Sequence, residues 1–222
     1  TYDGARLAAE GDIVVVGVTY RVGALGFLSA EGVPANLGVR DVRCALDWIR
    51  RHAGVFGGDT GRVVAMGESA GAGLLAHLLT DPTLPIDGGI VQSGSPGSAL
   101  APDVAATVTS TMLTEAGVDS GDERRLLPVE AILDAQSRTC AALGATVGKM
   151  PFHPIVDGEV VRSNPLDAAR LGELAPVPLV VGTTAHELEL YRAELDANPT
   201  EYAPFVIERA RGALPLSPAG IA

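Results

Sequence analysis

The stretch from Arg62 to Leu79, RVVAMGESAGAGLLAHLL, constrains the fold of this 222-residue chain more than any other. Residues 62 to 66 form an apolar run suited to a buried strand, and the small residues and leucines of Ala70 to Leu79 read as a helix ending near Asp81-Pro82. Between them, Gly67-Glu68-Ser69-Ala70-Gly71 matches G-x-S-x-G. Its glycines let the chain turn so sharply that the serine hydroxyl projects from the strand end into a cleft. A purely structural turn does not require serine at its apex, so the pattern marks Ser69 as a candidate nucleophile. The helix beginning at Ala70 aims its free amide groups and positive dipole end at the same place, which makes the Ala70 N–H a candidate donor to an acyl oxyanion.

The rest of the chain alternates strand and helix signals. Asp12 to Tyr20 (DIVVVGVTY) is almost continuously apolar and β-branched, the pattern of a central strand buried on both faces. After a Gly-rich turn (RVGALGFLS), Asn36 is placed to cap a helix with Val42, Ala45, Leu46, Ile49 and Ala53 on its apolar side and Arg40, Arg43, Asp47 and Arg50 on the other. Residues 89–94 and 177–184 give two more buried strands, 101–117 and 129–143 two helices, and 155–161 a hairpin turning at Asp157-Gly158. The class is therefore α/β: a mostly parallel sheet with helices on both faces. Residues 1–222 read as one domain, with 97–165 as a helical insertion lying over the sheet.

Composition excludes several functions. A formal net charge of −11, with no basic cluster beyond Arg50-Arg51 and Arg124-Arg125, argues against nucleic acid. Cys44 and Cys140 provide neither a disulfide framework nor a metal cluster, and Cys44 falls where a small buried residue would serve; both read as free structural thiols. No apolar run is long enough for a membrane span, so a soluble protein is expected, cytoplasmic or secreted. The chain opens with Thr1, which leaves targeting unread.

Six segments in order bear a wider likeness: YRVGALGFLS (20–29), NLGVRDVRCALDWIRRHAGVFGGD (36–59), VVAMGESAGAG (63–73), QSGSP (92–96), FHPIVDGEVV (152–161) and VPLVVGTTAHELEL (177–190). Together they resemble the type-B carboxylesterase (cholinesterase-like) family, and imply a partial α/β-hydrolase fold. The resemblance also implies hydrolysis of a small-molecule carboxylic ester through an acyl-enzyme, by a Ser, Glu, His triad that needs no metal or organic cofactor. Glu187 falls on the family's acid, consistent with the chain order Ser, acid, His. Glu68 matches a buried acid beside the nucleophile, and Ser93 a serine that hydrogen-bonds near the triad acid. Arg21 and Asp41 match an ion pair, buried, that fixes the turn after the first strand. Thr60, Ala72, Thr184 and Leu188 depart from the family pattern, the last two in the loop carrying Glu187.

The four histidines are His52, His77, His153 and His186, so none follows Glu187. Each is better explained without catalysis: His52 ends a helix, His77 lies two turns into the helix after Ser69, His153 sits in the hairpin segment, and His186 adjoins Glu187. The family's Gly-rich oxyanion segment would lie before YDGARLA. A central fragment with little turnover of its own is the expectation. The alternative is a catalytically dead, cholinesterase-like binding module, and a thioesterase or peptidase would share only the turn around Ser69. Aromatic residues at 4% give no support for a quaternary-ammonium cage, and substrate and oligomeric state are unread.

Overall fold

The computed structural model describes residues 3–119, 123, 126–144, 146–148 and 150–187. Its centre is a parallel sheet of β1 (Val64–Glu68), β2 (Gly88–Gln92) and β3 (Leu179–Gly182), with β2 in the middle. The register pairs Val64 with Gly88 and Gly89 with Leu179, so the three strands end side by side. Parallel neighbours require crossover connections. The first is the helix Ala70–Leu78, and the second carries the helices Pro102–Ala116, Val129–Leu143 and Pro165–Leu171. Preceding the sheet are helices α1 (Ala5–Gly11), α2 (Gly23–Phe27) and α3 (Leu37–His52), so the crossover helices are α4, α5, α6 and α7 in that order.

Local chemistry sets the bounds of the later helices. Pro102 and Pro165 occupy first-turn positions where a missing N–H costs nothing, and Gly117 and Gly172 take left-handed angles (φ 67° and 72°) just past the ends. At α7 the Asn164 side chain also accepts from the Leu166 N–H at 3.0 Å. The main core joins Val39 and Leu46 of α3 to Leu74, Leu75 and Leu78 of α4, with Val63, Val91 and Val161. Every residue of α4 from Ala72 to Leu78 is buried, so this helix is seated by packing on both sides. A second cluster sets Met112 of α5 and Ile132 and Ala135 of α6 against Ala24 and Leu28. The charged side of α3 is used for tethering: Arg40 reaches Glu159 at 2.6 Å, Arg50 reaches Asp87 at 2.7 Å, and Arg43 pairs with Asp81.

Five expectations are corrected. Residues 12–20 are not a strand: no described strand pairs with them, and Ile13, Val14, Val15 and Val16 are exposed. Residues 155–161 form no hairpin. The Asp157 carboxylate instead accepts from the amides of Glu159, Val160 and Val161 at 2.9–3.0 Å, folding the loop around one side chain. Asn36 precedes α3 but makes no side-chain cap. It sits at φ 58°, wholly buried, and its amide bridges to the Ile155 backbone and to Asp157. The Arg21–Asp41 pair forms through two charge-assisted bonds, 2.8 and 2.5 Å, yet its side chains are 47% and 25% exposed. Water therefore screens it, and the buried-pair cost does not apply. Arg21 nevertheless holds the Asp41 carboxyl below the usual carboxylate range. Cys44 is exposed and Cys140 half-buried, both free.

Candidate active site

Three adjacent strands each deliver one site residue just beyond their carboxyl ends, the edge where open parallel sheets place ligands. Ser69 follows β1, Ser93 follows β2, and Glu187 lies five residues after β3. Backbone bonds lock the row: the Ser69 N–H donates to the Gln92 carbonyl at 2.9 Å and the Ser93 N–H to the Gly182 carbonyl at 2.8 Å. Serine 69 has φ 51° and ψ −114°, a sparsely populated conformation for a residue with a Cβ. Such a conformation costs on the order of 1–3 kcal/mol and persists only where surrounding structure overdetermines it. Here the packing of α4 does that.

The strain sits on the serine and not on the flanking glycines, neither of which has positive φ. Gly67 is small for a different reason. A methyl there would lie 2.4 Å from the Gly71 carbonyl carbon and 2.6 Å from the Ala72 nitrogen, so only glycine lets α4 approach β1 this closely. A methyl on Gly71 would meet nothing nearer than the Tyr20 hydroxyl at 3.9 Å. The first intrahelical bond of α4 runs from the Gly73 N–H to the Ser69 carbonyl, which leaves the amides of Ala70, Gly71 and Ala72 without helical acceptors at the positive end of the dipole.

Glu187 is tied by one oxygen. Its Oε1 accepts from Ser93 Oγ at 2.7 Å and from the Thr184 N–H at 2.6 Å. The Ser93 hydroxyl first, then the Thr184 amide and, less, the Thr184 side chain hold the carboxyl below its ordinary range, so it is anionic at neutral pH. Thr184 as the partner is a residue that reading the sequence for catalytic motifs passes over. The signal was present: Thr184-Ala185-His186-Glu187 is a T-x-x-E pattern, in which the acid reaches back to the amide three residues earlier. Two strand spacings of roughly 4.8 Å separate the ends of β1 and β3.

Other expected residues fall differently. Glu68 lies on the outer strand β1 and is exposed, which corrects its reading as a buried acid. His52 ends α3 with Nδ1 2.8 Å from the Trp48 carbonyl and its ring stacked on the indole at 4.8 Å. His77 is wholly buried, donates from Nδ1 to the Gly73 carbonyl at 2.6 Å, and is pushed down in pKa by that burial. His153 is half-buried and His186 exposed. Leu188 lies outside the described residues. Among the described residues no group of three or more His, Cys, Asp or Glu is arranged to hold a metal ion, and no helix is long and apolar enough to cross a membrane.

A row of residues at parallel strand ends, with a strained serine before a buried helix, defines an α/β-hydrolase-like protein. The chain belongs to the carboxylesterase family, whose sequence model matches residues 1–210. It is 32% identical over 198 residues to a para-nitrobenzyl esterase of Bacillus subtilis, covering 86% of this chain and 40% of that protein. It is 36% identical over 219 residues to a fumonisin B1 esterase of Sphingopyxis macrogoltabida, covering 94% and 40%. Among solved structures, a Geobacillus stearothermophilus carboxylesterase superposes with a TM-score of 0.76 at 35% identity, over 89% of this chain and 44% of that one. The chain thus spans about 40% of the length of these two relatives.

Proposed function

We propose that this chain carries the nucleophile and the acid of a serine carboxylic ester hydrolase. The observation that supports it best is the shared tether of Ser69 and Glu187. The Gln92 carbonyl holds the Ser69 amide while Ser93, the next residue, holds the Glu187 carboxylate. In the reaction, Ser69 Oγ bonds to the ester carbonyl carbon as its proton passes to a histidine. The carbonyl oxygen becomes an oxyanion facing the Ala70 N–H. Collapse breaks the carbon–oxygen bond to the alcohol, which leaves with that proton, and water then releases the acid from Ser69 by the same steps. Glu187 orients and stabilises the imidazolium through the oxygen not already taken by Ser93 and Thr184. Glu68 has a supporting place beside the nucleophile.

The base is a histidine from outside these 222 residues: His52 and His77 are bound into their own helices, His153 lies half-buried in the segment before the Asp157 loop, and His186 adjoins the acid it would have to face. Isolated, the chain therefore turns over little ester. Two measurements test the reading on nitrophenyl esters. The chain alone is expected to lack Ser69-dependent hydrolysis. Grafted in place of the matched region of the Bacillus subtilis esterase, it is expected to be active, with Ser69→Ala lowering kcat by about 10⁶-fold and Glu187→Gln by about 10⁴-fold. Ordinary esterase rates from the isolated chain, or a graft indifferent to Ser69→Ala, would overturn it.

A further inference from the structure

Helices α5 and α6 pack chiefly on each other, and of the other described elements α2 is the one they meet most. Two small cores divide the pairing. Near its root, Val108 of α5 and Leu143 of α6 close over Leu100 and Ile155. Farther along, Met112 of α5 and Ile132 and Ala135 of α6 close over Ala24 and Leu28. Phe152 packs against both of these and against the main core. Within the pair, the Arg138 guanidinium of α6 donates to Glu115 of α5 at 3.0 Å. The root is clipped by backbone bonds: the Leu100 N–H donates to the Pro154 carbonyl at 2.8 Å, and the Val156 N–H to the Leu100 carbonyl at 3.3 Å. The chain therefore leaves and rejoins the body at a single place. Its other attachment is polar as well as apolar. Ala24 lies in the first turn of α2, where amides lack helical acceptors, and α2 has no side-chain cap of its own. Gln136 Oε1, 112 positions away, accepts the Ala24 N–H at 2.8 Å, and Thr109 Oγ1 donates to the Ser29 carbonyl. A methyl on Gly23 would lie 2.2 Å from Gln136 Oε1, so this approach is close.

Root and dock both lie at the end of the sheet that carries the candidate site. The root follows Ser93, which holds Glu187, and passes Ser95, whose carbonyl oxygen would sit 3.8 Å from a methyl on Gly73 in the first turn of α4. The dock, α2, begins three residues after Tyr20, whose hydroxyl would sit 3.9 Å from a methyl on Gly71. A unit that contacts itself more than its surroundings opens at less cost than the whole molecule unfolds. We propose that α5 and α6 swing as one hinged unit, with the Leu100–Ile155 clip as hinge and Gln136 as the latch that closes it on α2. Opening breaks the Gln136 and Thr109 bonds and bares Ala24, Leu28 and Met112. It leaves the Arg138–Glu115 pair and the sheet ladder intact. The latch thereby governs how far the sheet end bearing Ser69, Ser93 and Glu187 is covered, whatever chemistry that row performs.

Thiol labelling under native conditions tests this without turnover, so its result is separate from that of the ester chemistry. In the chain carrying Cys44→Ser and Cys140→Ser, single thiols are placed on the body side of the dock (Leu28→Cys), on the facing side (Met112→Cys) and in the main core (Leu78→Cys), all three positions being at most 2% exposed. The two dock thiols are expected to react in step, about tenfold or more faster than the Leu78→Cys thiol, which awaits global unfolding. Gln136→Ala strands the Ala24 N–H and is expected to speed both dock thiols by about a further tenfold, with the Leu78→Cys rate unchanged. Gln136→Glu keeps an acceptor oxygen in place and is expected to label close to the parent rate. One common rate for all three thiols in the parent, acceleration of Leu28→Cys without Met112→Cys, a Gln136→Ala effect that is absent or equal at Leu78→Cys, or Gln136→Glu labelling as fast as Gln136→Ala overturns the proposal.

Discussion

The two glycines around Ser69 give the sharpest test of how the turn is built. In Gly67→Ala the added methyl would lie 2.4 and 2.5 Å from the carbonyl carbon and oxygen of Gly71 and 2.6 Å from the Ala72 nitrogen. All three are backbone atoms, so no rotamer change relieves the overlap, and α4 must lift from β1. Overpacking by a methyl costs roughly 1–3 kcal/mol where side chains can yield, and with backbone on every side the upper end, about 3 kcal/mol, applies. Gly71→Ala meets only the Tyr20 hydroxyl at 3.9 Å, an ordinary contact. Replacing a helical glycine there gains up to about 1 kcal/mol. The two substitutions, four residues apart in one motif, thus differ by about 4 kcal/mol. For a chain of this size about 3 kcal/mol lowers Tm by roughly 6–12 °C. Thermal melts followed by circular dichroism would show it. A Gly67→Ala melt within 2 °C of the parent, or a Gly71→Ala loss equal to that of Gly67→Ala, would refute the claim that helix approach dictates glycine at 67.

Other substitutions probe the tethers. Ser93→Ala removes the donor at 2.7 Å that contributes most to holding the Glu187 carboxyl low, so its titration, followed by carbon-detected NMR, is expected to move upward; an unmoved titration would assign the lowering to the amide and side chain of Thr184 instead. Asn36→Ala strands the buried Ile155 N–H and carbonyl and places alanine at φ 58°, for a loss of about 3 kcal/mol in urea denaturation; Asn36→Gly, which tolerates the angle, is expected to lose about 1 kcal/mol less, and equal losses would remove the backbone contribution. Burial lowers the His77 pKa, so the unfolded chain takes up that proton first: stability is full above about pH 6.5 and falls as the pH drops below it. His77→Leu is expected to flatten melts between about pH 6.5 and 5, before most carboxylates titrate, and an unchanged slope would assign the acid loss to other groups.

What was legible in the sequence is what local chemistry decides. Pro102 and Gly117 bracket α5 within one residue of its reading, and the leucines of α4 and the β-branched run of β3 need only their own pattern. Readings failed where the outcome depends on a distant partner. DIVVVGVTY describes what residues 12–20 are suited to, but a strand also requires a neighbour, and no described residue supplies one. Asn36 is the right residue type for a helix cap, yet Ile155 and Asp157, more than a hundred positions away, compete for its amide and win. Asp157-Gly158 carries a hairpin signature, whereas the Asp157 carboxylate collects three amides and closes the loop without strands. At the site, the residue types of Ser69, Ser93 and Glu187 were readable, but their alignment follows from strand order, which no single segment encodes.

That alignment explains why one strand matters more to the candidate site than the two that carry Ser69 and Glu187. β2 bears no candidate nucleophile or acid, yet its last residue and the one after it hold both: Gln92 through its carbonyl to Ser69, Ser93 through its amide to Gly182 and its hydroxyl to Glu187. Ser93 itself adopts φ 49°, so two consecutive ladder ends, β1 and β2, each finish on a serine in the left-handed region. Strain at both positions is sustained because the amides involved have fixed acceptors one strand away, and because α4 is buried from Ala72 to Leu78 behind them. Ser69 and Glu187 are consequently tied to the same backbone step of β2. A shift of β2 along its neighbours would displace Ser69 and Glu187 together, preserving their separation while moving both relative to any base that arrives from elsewhere.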